Sequence, residues 1–250
     1  MTENKFIYQA LLKSISAKEK MLAILIDPDK FSIEKVTDFI AKVETSIATH
    51  IFVGGSTVEA NVTGYLVSEI KKHTKLPIIL FPGDVTQITN EADGMLFLSL
   101  ISGRNPDYLI SKHVKAVSKI NNTRLEVIST GYILIENGTE TSVERVTKTQ
   151  PMCRTNIQKI VDTAKAGELL GMKLMYLEAG SGAKEAVSSA IISSVKQVLQ
   201  IPLIVGGGIK NIKQLEDAYK AGADLVVIGT AFEKDEAFFE ELRKLPRVHE

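Results

Sequence analysis

PLIVGGGIKNIKQLEDAYKAGADLVVIGT, residues 202–230, is the stretch that decides the fold. Two short apolar runs, PLIV and LVVI, each stop at glycine, and residues 211–221 between them carry a helical pattern. Strands that are apolar throughout, rather than at alternate positions, are buried on both faces, as in a parallel sheet covered by helices. Strand, helix and second strand therefore read as one repeat of a parallel α/β sheet.

Outward from this repeat the same pattern recurs. MLAILID (21–27), HIFVGG (50–55), LPIILFPG (76–83), GMLFLSL (94–100), LEVISTGYILI (125–135) and KLMYLEAG (173–180) are the other strand candidates. Helical patterns cover 33–46, 58–73, 107–120, 156–171, 185–199 and 234–244, the first with Ser32 as its candidate N-cap. DVTQITNEAD (84–93) is too short and too poor in apolar periodicity for a full helix. Residues 136–154 are polar and read as a long surface loop with at most one helical turn, a length often used for lids. Eight strands alternating with helices, without a linker or composition break, predict an α/β fold: a (β/α)8 TIM barrel, one domain over 1–250, lacking the helix after its third strand. An open doubly wound sheet is the competing arrangement.

Composition agrees with a barrel and removes several classes of function. A chain of 250 residues and 27.4 kDa suits a single barrel, and 44% hydrophobic with 24% charged residues excludes general disorder. Thirty basic residues balance thirty acidic ones, so no nucleic-acid partner is expected. The one cysteine, Cys153, excludes an internal disulfide or a multi-cysteine metal site and reads as an inert thiol. The first 20 residues, MTENKFIYQALLKSISAKEK, form an amphipathic helical pattern without the apolar core of a signal peptide. No apolar run approaches the ~20 residues that span a bilayer, so a cytoplasmic protein is expected. His50, His73, His113 and His249 sit at strand starts, on helices or at the terminus, which argues against histidine metal ligation. Lys30, Lys173, Lys184 and Lys210 lie outside the strand interiors, which argues against a Schiff-base aldolase.

Active sites of such barrels lie at the carboxyl ends of the strands. Those ends here carry Asp27, Gly54-Gly55-Ser56, Gly83-Asp84, Ser99, the run Glu178 to Gly182, Gly206-Gly207-Gly208 and Gly229-Thr230. Glycine amides after the last two strands match a recurrent phosphate site, where unpaired N–H groups and helix dipoles favour an anion. In YLEAGSG, strand alternation puts Tyr176 and Glu178 on one face, which can be the barrel mouth. Glu178 reads as a general base, or else as the partner of a distant lysine or arginine. Asp27 and Asp29 in DPDK, with Ser56 nearby, suffice for Mg²⁺, which usually takes one or two carboxylates plus waters and substrate phosphates. Asp29 can equally cap the next helix. These residues alone also fit a phosphosugar isomerase, a flavin-binding barrel or a non-catalytic phosphate-binding protein.

LIDPDK (25–30), FVGGST (52–57), YLEAGSGA (176–183), VGGGI (205–209) and VIGTAFE (227–233), in this order, resemble the geranylgeranylglyceryl phosphate synthases, a family that includes bacterial heptaprenylglyceryl phosphate synthases. SLISGRNPDYLI (99–110) and the segment 136–154 look more like the branch of some archaea and Bacteroidetes-type bacteria. The resemblance implies a Mg²⁺-dependent prenyltransferase that joins sn-glycerol 1-phosphate to an all-trans prenyl diphosphate through an ether bond, with geranylgeranyl diphosphate the expected donor, and that works as a homo-oligomer. It implies Mg²⁺ at Asp27 and Ser56 and a catalytic pair in Glu178 and Tyr176. It places Tyr176, Leu177, Glu178, Ala179, Gly180, Ser181 and Gly182 around glycerol phosphate, with Gly206, Gly207, Gly229 and Thr230 about its phosphate. Two positions depart from the family pattern: Leu25, where some members carry lysine, and Ser102, where others carry asparagine. Lys30 and Arg104 are then the candidates to hold the diphosphate. Phe81, Phe97 and Tyr108 are candidates for an apolar groove for the prenyl tail, or else ordinary core.

Overall fold

A computed structural model describes residues 6–59, 61–229 and 236–245. Eight parallel strands close into one barrel in sequence order. They are β1 (Met21–Ile26), β2 (His50–Val53), β3 (Ile78–Leu80), β4 (Gly94–Leu100), β5 (Glu126–Leu134), β6 (Leu174–Glu178), β7 (Leu203–Gly206) and β8 (Leu225–Ile228). Pairing of Met21 with Leu225 and of Ile24 with Ile228 closes β1 on β8, so the barrel displaces the open sheet.

Strand alternation divides the core in two. Along β6, Leu174 and Tyr176 point into the barrel with Phe52, Ile79 and Ile204, while Met175 and Leu177 point outward to the helices. The helices are α1 (Ile7–Ser16), α2 (Val36–Thr45), α3 (Val62–Lys71), α4 (Lys112–Ile120), α5 (Ser142–Thr147), α6 (Ile157–Leu169), α7 (Ser189–Val198), α8 (Ile212–Ala221) and α9 (Glu236–Lys244). Between β3 and β4 there is only the 3-10 turn Val85–Gln87, as the sparse periodicity of 84–93 predicts. No helix among the described residues is long and apolar enough to cross a membrane.

α1 closes the amino-terminal end of the barrel. Its Ile7 and Leu11 join the inner cluster, and its first amides, Ile7 N and Tyr8 N, donate to the Glu126 carboxylate at the start of β5. An anion there satisfies donors that a helix start leaves free.

Two local expectations are corrected. Ser32 does not cap: its hydroxyl bonds the Glu34 carboxylate, and the chain enters α2 through the 3-10 turn Ile33–Lys35. Residues 136–154 do run along the surface, but part of the segment turns inward. Asn137, Thr141, Thr147, Thr149 and Met152 are buried, Ile135 bridges Met152, and α5 starts with a reciprocal cap between Thr141 and Glu144. Polar side chains can go inside here because neighbouring backbone groups satisfy them.

Candidate active site

Glu178 is the last residue of β6 and the third to point inward, above Leu174 and Tyr176. It is only 6% exposed, and among the described residues no lysine or arginine is within ion-pair distance. Its Oε1 accepts the Gly180 N–H at 2.5 Å. Burial pushes its pKa up to about 7, against the pull of the Gly180 N–H and the Tyr176 hydroxyl. Among the described residues the distant ion pair that would make it structural is therefore absent. The Tyr176 hydroxyl below is buried and turned toward the Glu178 carboxylate. Burial first, and the Glu178 charge next, hold the Tyr176 and Tyr132 hydroxyls well above the usual tyrosine pKa.

The glycine loops converge on this carboxylate. Ala179 N donates to the Gly206 carbonyl at 3.1 Å, locking the β6 loop to the end of β7. Gly207 has φ of +81°, and a Cβ there would collide with Glu178 Oε1 and lie 2.5 Å from Gly180 N. Glycine at 207 is thus required by packing against Glu178 as much as by any ligand. A polar cavity in front is lined by Glu178, Gly180, Ser181, Gly182, Gly207, Gly208 and Gly229, with Lys210 at its edge. Leu177 and Ala179 face the outer core, and Gly206 lies behind the cavity wall with its Cα against Tyr176. Thr230 lies outside the described residues.

Across the cavity, Asp27 directly follows β1 and pairs with Lys30, while its Oδ1 accepts Asp29 N at 3.3 Å. The carboxylate packs on Gly55, where a Cβ would sit 2.7 Å from Oδ1. Ser56 and Leu25 line the same cavity. Asp29 accepts the Glu59 amide at 3.3 Å and caps no helix. Among the described residues no group of three or more His, Cys, Asp or Glu is placed to hold a metal.

A second, apolar cavity opens from the first. Its walls include Phe81, Leu96, Phe97, Leu98, Tyr108, Ala116 and Val146, and Gly55, Ser56, Phe81, Tyr132 and Val143 belong to both cavities. Phe81, Phe97 and Tyr108 are thus brought together. At the junction the rings of Phe81, Tyr132 and Tyr176 pack with centroids 5.3 to 5.9 Å apart. His113 stands edge-on to Phe97 in this wall at 4.5 Å, an apolar role that fits burial lowering its pKa. His50 is buried at the far end of the barrel, its pKa lowered by burial to about 4. Cys153 is exposed, with its Sγ 3.2 Å from the Thr155 hydroxyl.

Arg104 does not reach either cavity: its guanidinium donates to the carbonyls of Gly103 and Ile101 at 2.6 and 3.2 Å. Ser102 accepts the Leu134 amide at 3.0 Å and so fastens β5 instead of facing a ligand. Lys112 lines the apolar cavity instead, pairing with Asp84 at 2.6 Å and lying 4.4 Å from the Tyr108 ring centre.

Sequence reasoning also missed Gln87. It is 1% exposed, donates to Gly55 O at 2.9 Å and accepts Gly55 N and Gly83 N, each at 3.4 Å. One glutamine in a 3-10 turn thus ties the ends of β2 and β3 together, and a lone polar residue in a short connection gave no hint of it.

The sequence profile of the PcrB family matches residues 15–246. The chain belongs to the PcrB family. A geranylgeranylglyceryl phosphate synthase of Flavobacterium johnsoniae is 54% identical over 94% of this PcrB-family chain and 96% of its own. One from Zunongwangia profunda is 56% identical over 92% of this chain and 98% of its own. The crystal structure of (S)-3-O-geranylgeranylglyceryl phosphate synthase from Thermoplasma acidophilum, in complex with sn-glycerol-1-phosphate, superposes with a TM-score of 0.88. It is 30% identical, and the match covers 95% of each chain. The PcrB-family membership agrees with the resemblance carried by the strand-end motifs.

Proposed function

We propose that this protein is a prenyltransferase that joins the C3 hydroxyl of sn-glycerol 1-phosphate to C1 of geranylgeranyl diphosphate, forming an ether bond and releasing diphosphate. The observation that carries the reading is a buried carboxylate, Glu178, with no lysine or arginine partner among the described residues, lining a glycine-rich cavity that shares Phe81 and Tyr132 with an apolar one. The PcrB-family relatives named as geranylgeranylglyceryl phosphate synthases support it.

In this reading the amides about Gly207, Gly208 and Gly229 receive the phosphate, with Lys210 adding charge. The glycerol C3 hydroxyl then faces Glu178. A base with pKa near neutrality is half ionised there and still basic enough to take the proton as the C–O bond forms. Tyr176 fills the barrel beneath Glu178 and keeps water from its underside. The apolar cavity takes the prenyl tail, whose C1 meets the hydroxyl beside Phe81 and Tyr132. The electrons of the breaking C1–O bond leave with the diphosphate, toward Asp27, Lys30 and Ser56.

Mg²⁺ fits that corner. One partly exposed carboxylate and one hydroxyl, Asp27 and Ser56, suit an ion that otherwise keeps waters and takes substrate phosphate oxygens. When bound, Mg²⁺ supplies charge neutralisation for the departing diphosphate. A homo-oligomer is part of the same proposal, resting on the family resemblance and readable by light scattering. Incubation with sn-glycerol 1-phosphate and prenyl diphosphates of graded length, followed by product analysis, tests the whole reading. A geranylgeranyl ether is the expected product, and its absence with every donor overturns the assignment. Asp27→Asn should abolish most Mg²⁺-dependent turnover in a folded protein, and an unchanged Mg²⁺ titration moves the metal elsewhere.

A further inference from the structure

The wall behind Glu178 is built by the chain between β5 and α6. Asn137 is 2% exposed and lines neither cavity, so it touches no substrate. Its Nδ2 donates to the Ala179 carbonyl at 2.5 Å, and its Oδ1 accepts the Thr139 amide at 3.1 Å, which sets which end of the amide faces the β6 loop. The other end of the same peptide unit, Gly180 N–H, donates to Glu178 Oε1 at 2.5 Å. In a trans peptide the carbonyl and the N–H point opposite ways, so holding one aims the other.

We propose that Asn137 is a positioning residue for Glu178: its side-chain amide pins the Ala179–Gly180 peptide with the Gly180 N–H turned to the carboxylate. Two further features keep that peptide from rotating. Gly180 has φ of +101° and Thr141 packs over its Cα, leaving no room for a side chain. Ala179 N is also held, by the Gly206 carbonyl. The three groups form one hydrogen-bonded line from amide to peptide to carboxylate, in which each bond polarises the next.

The line matters for Glu178's proton. An N–H aimed at a carboxylate favours its charged form, and a rotated peptide would present the Ala179 oxygen instead and favour the acid. The other groups facing Glu178 are the Tyr176 and Tyr132 hydroxyls, from β6 and β5, and the Gly207 backbone from β7. Asp27, Asp29, Lys30 and Lys210 line the same cavity. None of these is bonded to Asn137, so a change at 137 reaches Glu178 through the peptide.

The proposal rests on Glu178 acting as the base, and the experiment separates the two. Asn137→Ala and Asn137→Ser are compared with the parent enzyme in two measurements: the pH dependence of kcat/KM for glycerol phosphate, and direct titration of the Glu178 carboxyl by carbon NMR. Loss of one charge-assisted hydrogen bond should raise the Glu178 midpoint by about one unit, a ~10-fold change in proton affinity. The acid limb of kcat/KM should move up by the same amount in the alanine variant and by less in the serine variant, which keeps a donor. Rates on the alkaline plateau should stay within about threefold, whereas a merely structural role lowers kcat/KM by one factor at every pH. Glu178 titrating as in the parent, in either folded variant, overturns the proposal; the serine variant carries this test if the alanine variant does not fold. A Glu178 midpoint that moves while the rate profile does not leaves the clamp standing and removes Glu178 as the base.

Discussion

At the scale of single residues, Glu178 sets function against stability. Its folded pKa, about 7, lies above the ordinary carboxylate value of 4.5. Between those values the folded protein holds a proton that the unfolded chain has lost, so this residue's contribution to stability is full below about pH 4.5 and falls as pH rises through 7. The loss is at most about 3 kcal/mol. Glu178→Gln keeps an oxygen for Gly180 N–H and removes the charge, so the melting temperature should rise at pH 8 and change little at pH 5. Turnover should fall by about 10²–10⁴ at pH 8 and by less at pH 5, where Glu178 of the parent is already mostly protonated. Calorimetry and rate on one preparation check the pair, and a variant less stable at pH 8 with turnover intact removes the base role. Gly207→Val carries a different expectation. Its side chain would meet the Glu178 carboxylate and the Gly180 amide, and its φ of +81° is strained for valine. Both kcat and glycerol phosphate affinity should therefore drop, with stability lower by several kcal/mol. Wild-type affinity in a folded variant would show that the loop can move away at little cost.

At the scale of elements, the strands were legible in the sequence because a strand buried on both faces must be apolar throughout, and 94–100 agrees residue for residue with β4. The missing helix after β3 was legible for the opposite reason, a connection with no apolar stripe. Strand parity likewise gave Tyr176 and Glu178 a common inward face. The segment 136–154 was not legible, since hydropathy ranks Asn137, Thr141 and Thr149 as surface residues and cannot see the backbone groups that let them sit inside. Arg104 misled in the same way: its charge pointed to a diphosphate, yet local carbonyls take its donors. The short helix α5 joins these two points, because Thr141 caps it and also covers Gly180. Thr141→Ala should cost about 0.5–2 kcal/mol of stability through the lost cap. It should also weaken glycerol phosphate binding by loosening the loop beyond Glu178. Denaturant melts and substrate titration measure the two effects, and a stability loss with unchanged affinity would confine Thr141 to the helix.

At the scale of the whole molecule, α1 is a stopper for the closed end of the barrel. Its Ile7 and Leu11 share a cluster with inward residues from β1 to β8, including Met21, Phe52, Ile128, Leu174 and Leu225. Burying two large aliphatic side chains contributes roughly 3–6 kcal/mol. Leu11→Asp should lower stability by several kcal/mol and expose the inner cluster to a hydrophobic dye, while the strand-end site at the opposite face keeps its chemistry. Native-like melting would mean that the stopper is dispensable. The same geometry bears on how the chain is made. The stopper leaves the ribosome before any of the eight strands, but its seat is complete only once β8 has followed, roughly 10–40 s later at ordinary rates of synthesis. Throughout that interval the newborn chain carries a greasy amphipathic helix with nowhere to dock, a natural handle for a chaperone. A helix made before every strand it packs against is among the last elements to find its place.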